Sequence, residues 1–158
     1  MKAYIVKASA PGPYKTYKQQ RGGPPQGIFS LAAATPPGVA LELCDETGGM
    51  TPAARSDADV VVLFASTPDA YRAYELAARY REHGTPVVLA GLHASFLPAE
   101  AGEHADAVLI GEAEESWPRL LGDLRHARLA PRYESSPLTD LSSLAPYPRD
   151  LVGPEQYG

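Results

Sequence analysis

Three short phrases hold the residues best suited to chemistry: Ser66-Thr67-Pro68, Gly91-Leu92-His93 and Gly111-Glu112. Each directly follows an apolar run, where a strand hands over to the next helix. Hydroxyls, bare glycine backbone and a carboxylate at such points suit the binding of a polar or phosphate-bearing ligand, because strand ends and helix starts present unpaired N–H groups there. They do not form a standard catalytic set. There is no nucleophile elbow, no phosphate loop of the G-x-x-x-x-G-K type, and no His pairing at i, i+4 spacing that would hold a metal. Each residue also has a purely structural reading. Thr67 suits an N-cap, Pro68 the first helical position, and Asp69 the positive helix end. Gly91 permits a turn. His93 reads as a loop histidine bonded to its own backbone. Glu112, Glu114 and Glu115 complement the dipole of the last helix.

The elements that position these phrases follow from the apolar pattern. Val60-Val61-Val62-Leu63-Phe64 has no polar break, as expected of a strand buried on both faces of a parallel sheet. A helix follows to about His83, with Gly84 as its stop. Within it Ala70, Tyr74, Ala77, Ala78 and Arg81 share a stripe, with Tyr71 beside it. Val87 to Ala90 is the next strand, and a short helix covers Pro98 to Gly102. Asp106 to Ile110 is the fifth strand, and the last helix carries Trp117, Leu120, Leu121 and Leu124 on one face. Upstream, Ala3–Ala8 and Val39–Cys44 read as strands, with a first helix over Gln26–Thr35. Thr51 to Ser56 makes at most one helical turn. Arg132-Tyr133 is a candidate short edge strand. The expected fold is α/β: a doubly wound Rossmann or flavodoxin-like three-layer sandwich with a five-stranded parallel sheet in the order 2-1-3-4-5.

The chain has 158 residues, of which 44% are apolar and 21% charged, enough for one domain with a proper core. A net charge of -5 argues against nucleic acid or an anionic membrane as partner. No apolar run approaches the ~20 residues of a membrane span. The short N-terminal run reads as a strand rather than a signal peptide, so a cytoplasmic location is expected. Cys44 is the single cysteine; it excludes an internal disulfide and a Cys-rich cluster site, and reads as an inert core thiol. Prolines and glycines gather near residues 11–27, 35–52 and 131–158, marking loops and an extended tail. The loop from Ser9 to Gln26 is long and carries Tyr14, Lys15, Tyr17, Lys18 and Arg21, which suit an anionic ligand or a partner domain, or simply a solvated loop. The domain is read as residues 1–133, with 134–158 as a linker.

Five phrases, in order, carry a resemblance. They are Gly23-Pro24-Pro25-Gln26-Gly27-Ile28-Phe29-Ser30-Leu31-Ala32-Ala33, Leu41-Glu42-Leu43-Cys44-Asp45-Glu46, Ala73-Tyr74-Glu75-Leu76-Ala77 through Arg81-Glu82-His83-Gly84, Val87-Val88-Leu89-Ala90-Gly91-Leu92-His93, and Ala105 through Glu114. Together they resemble the N-terminal cobalamin-binding domain of radical S-adenosylmethionine (radical SAM) proteins. The phrases Asp140-Leu141-Ser142-Ser143-Leu144 and Pro148-Arg149-Asp150-Leu151 resemble the linker before that family's catalytic barrel. The resemblance implies cobalamin as cofactor and the barrel as partner in cis. It assigns the 4Fe-4S cluster and S-adenosylmethionine to that barrel, since one cysteine cannot hold the cluster.

By the same resemblance, Ser66 and Thr67, followed by Pro68, hydrogen-bond the nucleotide tail, Gly91, followed by Leu92, lets the tail approach the backbone closely, His93 lies over the corrin or near cobalt, and Gly111 with Glu112 flank the tail. Ala90 stands where the family has a further glycine. The loop Ser9-Ala10-Pro11-Gly12-Pro13-Tyr14 lacks the D-x-H-x-x-G motif, so a base-off mode with no histidine from that loop on cobalt is expected. Two other functions stay open: a cofactor-free scaffold that docks the barrel, and a binder of another phosphate-bearing ligand. A phosphoacceptor is disfavoured, because Ser66 stands where an aspartate would have to join Asp45 and Glu46.

Overall fold

A computed structural model describes residues 1–10 and 25–135, with Pro146, Pro148 and Leu151 singly. Residues 11–24, which hold the basic and tyrosine residues of the long loop, and most of the proline-rich tail beyond 135 lie outside the described residues. The strands are β1 (Lys2–Lys7), β2 (Ala40–Asp45), β3 (Val60–Phe64), β4 (Val87–Ala90), β5 (Ala107–Ile110) and β6 (Arg132–Glu134). All pair in parallel, in the order β2-β1-β3-β4-β5-β6. The first five follow the expected order, but the sheet has six strands, not five. Arg132-Tyr133-Glu134 continues it beyond β5 because Tyr133, 2% exposed, drops into the core while its charged neighbours face water.

Strand alternation divides the core into two layers. Val61 and Leu63 face α2 (Ala70–Glu82) and α4 (Pro98–His104), while Val60 and Val62 face α1 (Gln26–Ala33) and α5 (Ala113–Arg125). Helices therefore cover both faces, which is why β3 and β4 can be apolar throughout. The buried face of α2 is Ala70, Ala73, Tyr74, Leu76, Ala77 and Tyr80. The expected stripe is rotated: Ala78, Arg81 and Tyr71 are exposed. A flat sheet takes a wider helical face than a single stripe, and Leu76 and Tyr80 supply the bulk that alanines lack.

Local details also depart from expectation. Thr67–Asp69 is a single 3-10 turn ahead of α2, and neither it nor α2 has a side-chain cap. The only helical turn between β2 and β3 is Glu46–Gly48, ahead of the expected Thr51–Ser56. Leu92–Phe96 forms a further short helix, α3, so His93 is helical rather than in a loop. The helix starting at Pro98 runs on to His104. Gly84 stops α2 in the left-handed region as expected, at φ +77°. Glu114 and Glu115 occupy the first turn of α5. Cys44 is 2% exposed, and burial pushes its thiol pKa up, which fits an inert core thiol.

Candidate functional site

Because all strands run the same way, their carboxyl ends share one edge. Asp69 organises the β1–β3 part of it. Its carboxylate accepts from Ser66 Oγ at 2.5 Å, from Lys7 Nζ at 3.1 Å and from the Ala10 amide at 3.1 Å. Burial alone would raise its pKa; the Ser66 hydroxyl, the Lys7 charge and the Ala10 N–H outweigh that and hold it below the usual carboxylate value. Asp69 is thus not a surface charge decorating a helix start but a buried tie between β1 and the β3–α2 turn. Ser66, read from the sequence as a ligand donor, has its hydroxyl committed to it. Thr67 and Pro68 are exposed beside it. A second tie joins β1 to β2 and α2: Glu46 accepts from the Ser9 amide at 2.9 Å and pairs with Arg72 at 2.8 Å.

Gly91 and Gly111 are brought together by Ser95, which the sequence reading passed over. Its hydroxyl donates to the Gly91 carbonyl at 3.0 Å and accepts from the Gly111 amide at 2.9 Å. Gly91 has φ +98°, and a Cβ there would stand 2.7 Å from the Ala65 carbonyl oxygen and 3.0 Å from the Phe64 ring. A Cβ on Gly27, in the first turn of α1, would stand 2.1 Å from Phe64 Cζ. The Phe64 ring therefore fills the space that these two glycines leave. Glu112 and Gly111 are exposed beside this edge.

His93 is not on the open edge. It is 3% exposed, with Nε2 2.6 Å from the Tyr74 hydroxyl, which itself donates to Glu100 Oε1 at 3.0 Å. Tyr74 has one proton to give. With that proton on Glu100, His93 must carry its own on Nε2 and donate to the phenolic oxygen. Its Nδ1 is buried with no hydrogen-bond partner among the described residues. Burial first, and the Glu100 carboxylate next, push the Tyr74 hydroxyl pKa up. His104 stacks on the same ring at 3.8 Å. The cluster joins α2, α3 and α4. Among the described residues no group of three His, Cys, Asp or Glu side chains is placed to hold a metal.

The edge is also apolar at its surface. Tyr71, Leu92, Phe96 and Leu97 are 81, 62, 74 and 43% exposed. Leu92 and Phe96 are one turn apart on α3, and Tyr71 lies edge-on to Tyr74. Scattered exposed apolar residues mean little, but a group at one strand-end edge marks a binding surface. A cavity of about 390 Å³, lined by Arg81, Thr85 and Asp106 among others, lies at the opposite edge of the sheet. Its arginine is already paired with Asp106 at 3.2 Å.

No protein-family model matches the chain. It is 40% identical over 116 residues to the bacteriochlorophyllide d C-8(2)-methyltransferase of Chlorobaculum tepidum, covering 73% of this chain and 26% of that protein. It is 31% identical over 104 residues to the bacteriochlorophyllide d C-12(1)-methyltransferase of the same organism, covering 66% of this chain and 23% of that protein. The chain thus spans about a quarter of the length of the curated relatives it matches, and is similar to that part of two methyltransferases.

Proposed function

We propose that the chain is a cobalamin-binding accessory domain of a radical SAM enzyme of methyltransferase type. The observation that carries the reading is the exposed apolar group Tyr71, Leu92, Phe96 and Leu97 at the carboxyl edge, beside the Gly91 and Gly111 turns. A broad, flat and largely apolar macrocycle fits such a surface, with polar groups at its rim. Thr67 and Glu112 are exposed there and free to meet the amides of the ring periphery. His93 is held beneath α2 and α4, so its imidazole is turned to Tyr74 rather than to this edge. When bound, cobalamin supplies a cobalt centre able to carry a methyl group. The domain's own part is to orient the ring and shield one of its faces from water. The 4Fe-4S cluster and S-adenosylmethionine belong, in this reading, to a catalytic barrel in cis, and the methyltransferase relatives support that class of reaction.

The test is retention of colour. Purified protein mixed with hydroxocobalamin and desalted should keep a visible corrinoid spectrum near one equivalent. At ~100 times the dissociation constant the ligand should add roughly 2.7 kcal/mol of stability, seen as a raised melting temperature. Colourless protein with an unchanged melt, for this chain and for a version carrying the barrel, overturns the reading. A cofactor-free docking scaffold would then take its place. That second reading draws on the Phe64 ring packed against Gly27 and Gly91 and on the Ser66 hydroxyl bonded to Asp69.

A further inference from the structure

Phe64 is the last residue of β3 and the only one of that strand not fully buried. Its ring lies on the α1 and α5 side of the sheet, packed against the second core layer. Two glycines from different elements make room for it. Methyl carbons built on Gly27 would stand 2.1, 2.5 and 2.8 Å from three of its ring atoms, and one on Gly91 would stand 3.0 Å from two. Neither position accepts a side chain while the ring is there. The α1 backbone at Gly27 forms one wall of the slot and the β4–α3 turn at Gly91 the other. It is an aromatic-ring slot opening onto the candidate ligand edge, and the chain's own aromatic ring occupies it.

We propose that Phe64 is a specificity residue of the ligand edge, filling the slot that the flat base of a corrinoid's nucleotide tail would otherwise enter, so that this domain holds corrinoids by the ring and not by the tail. The inference rests on the cobalamin reading above. Three features argue for a filled slot rather than a gate. Phe64 closes β3 in register between Lys7 of β1 and Ala90 of β4, and its carbonyl accepts from the Ala8 amide at 3.0 Å, so its backbone is held on both sides. Gly91, at φ +98° and against the Ala65 carbonyl, cannot retreat without breaking the His93 N–H···O=C Ala65 bond of 3.2 Å. The neighbouring Ser66 hydroxyl, the obvious donor to a tail phosphate, is committed to Asp69.

Two measurements test it. The first compares hydroxocobalamin with cobinamide, which keeps the corrin ring and lacks the nucleotide tail, by visible-absorbance titration. Wild type should bind both within about twofold, and Phe64→Ala should come to prefer hydroxocobalamin over cobinamide by about tenfold. A tenfold preference for hydroxocobalamin in the wild type, or equal change of both ligands in the variant, overturns the proposal. The second uses free 5,6-dimethylbenzimidazole and needs no corrinoid. It should raise the melting temperature of Phe64→Ala and leave wild type unmoved. No response in the variant overturns the slot itself. Should Phe64→Ala fail to fold, Phe64→Leu serves both measurements with a smaller opening. If neither corrinoid binds any variant but the benzimidazole result holds, the cobalamin reading fails, the slot stands, and tail exclusion falls with the reading.

Discussion

At Gly91 two separate constraints exclude a side chain: a left-handed backbone and the Ala65 carbonyl 2.7 Å from any Cβ. Gly91→Ala should therefore cost about 1–3 kcal/mol for the backbone alone, with more for the contact, read as a lower urea midpoint. Asp69 gives a second residue-scale test. Its carboxyl is held below its unfolded pKa of about 3.9, so its contribution is complete above that value and lost as pH falls through the lower folded pKa. Wild type and Asp69→Asn should thus differ by a constant amount above about pH 5. The difference should shrink below about pH 4, as measured by denaturation at a series of pH values. At neutral pH, breaking this largely buried pair with Lys7 should cost about 3 kcal/mol.

At the scale of elements, α2, α3 and α4 meet through one phenol. Tyr74→Phe removes the hydrogen bonds of His93 Nε2 and of Glu100 together, leaving between them only their 3.7 Å approach. The exposed Glu100 turns to water; the buried imidazole cannot. A loss of about 1–3 kcal/mol is expected, again by urea denaturation, with the fold retained because the ring stays in place. The same region shows where sequence runs out. Apolar runs ending in Ser66, Gly91 and Gly111 were enough to place the β3, β4 and β5 ends on one edge, and alternation with helices gave the first five strands in order. β6 was harder, since three residues with one buried tyrosine carry almost no period. His93 is not legible locally because nothing in Leu92 to Phe96 announces a five-residue helix, and only the fold brings Tyr74 over it. Phe64, Asp69 and Ser95 share that cause. Each matters through a residue distant in the chain, such as Gly27, Lys7 or Gly111, and no local pattern encodes such a meeting.

For the whole molecule, the apolar carboxyl edge is the surface with most to gain from a partner. No described helix is long and apolar enough to cross a membrane. Replacing Leu92 and Phe96 with serine should leave the melting temperature of the free domain within about 1 °C, because exposed positions contribute little. The same change should weaken corrinoid retention by tenfold or more, seen in the desalting assay.

The all-parallel sheet also dictates an order of assembly. No two neighbouring strands are joined by a hairpin, so no strand pair can zip up locally. The shortest loop is between Val88 and Ala107, 19 residues apart, whereas joining Ala3 to Val60 at the sheet centre spans 57. Loop-closure entropy favours the shorter span, so the β4–β5 half should nucleate and β1 should arrive late. Substitutions in Leu89 or Val108 should slow refolding, while those in Ile5 should mainly hasten unfolding, a contrast that stopped-flow chevrons would display.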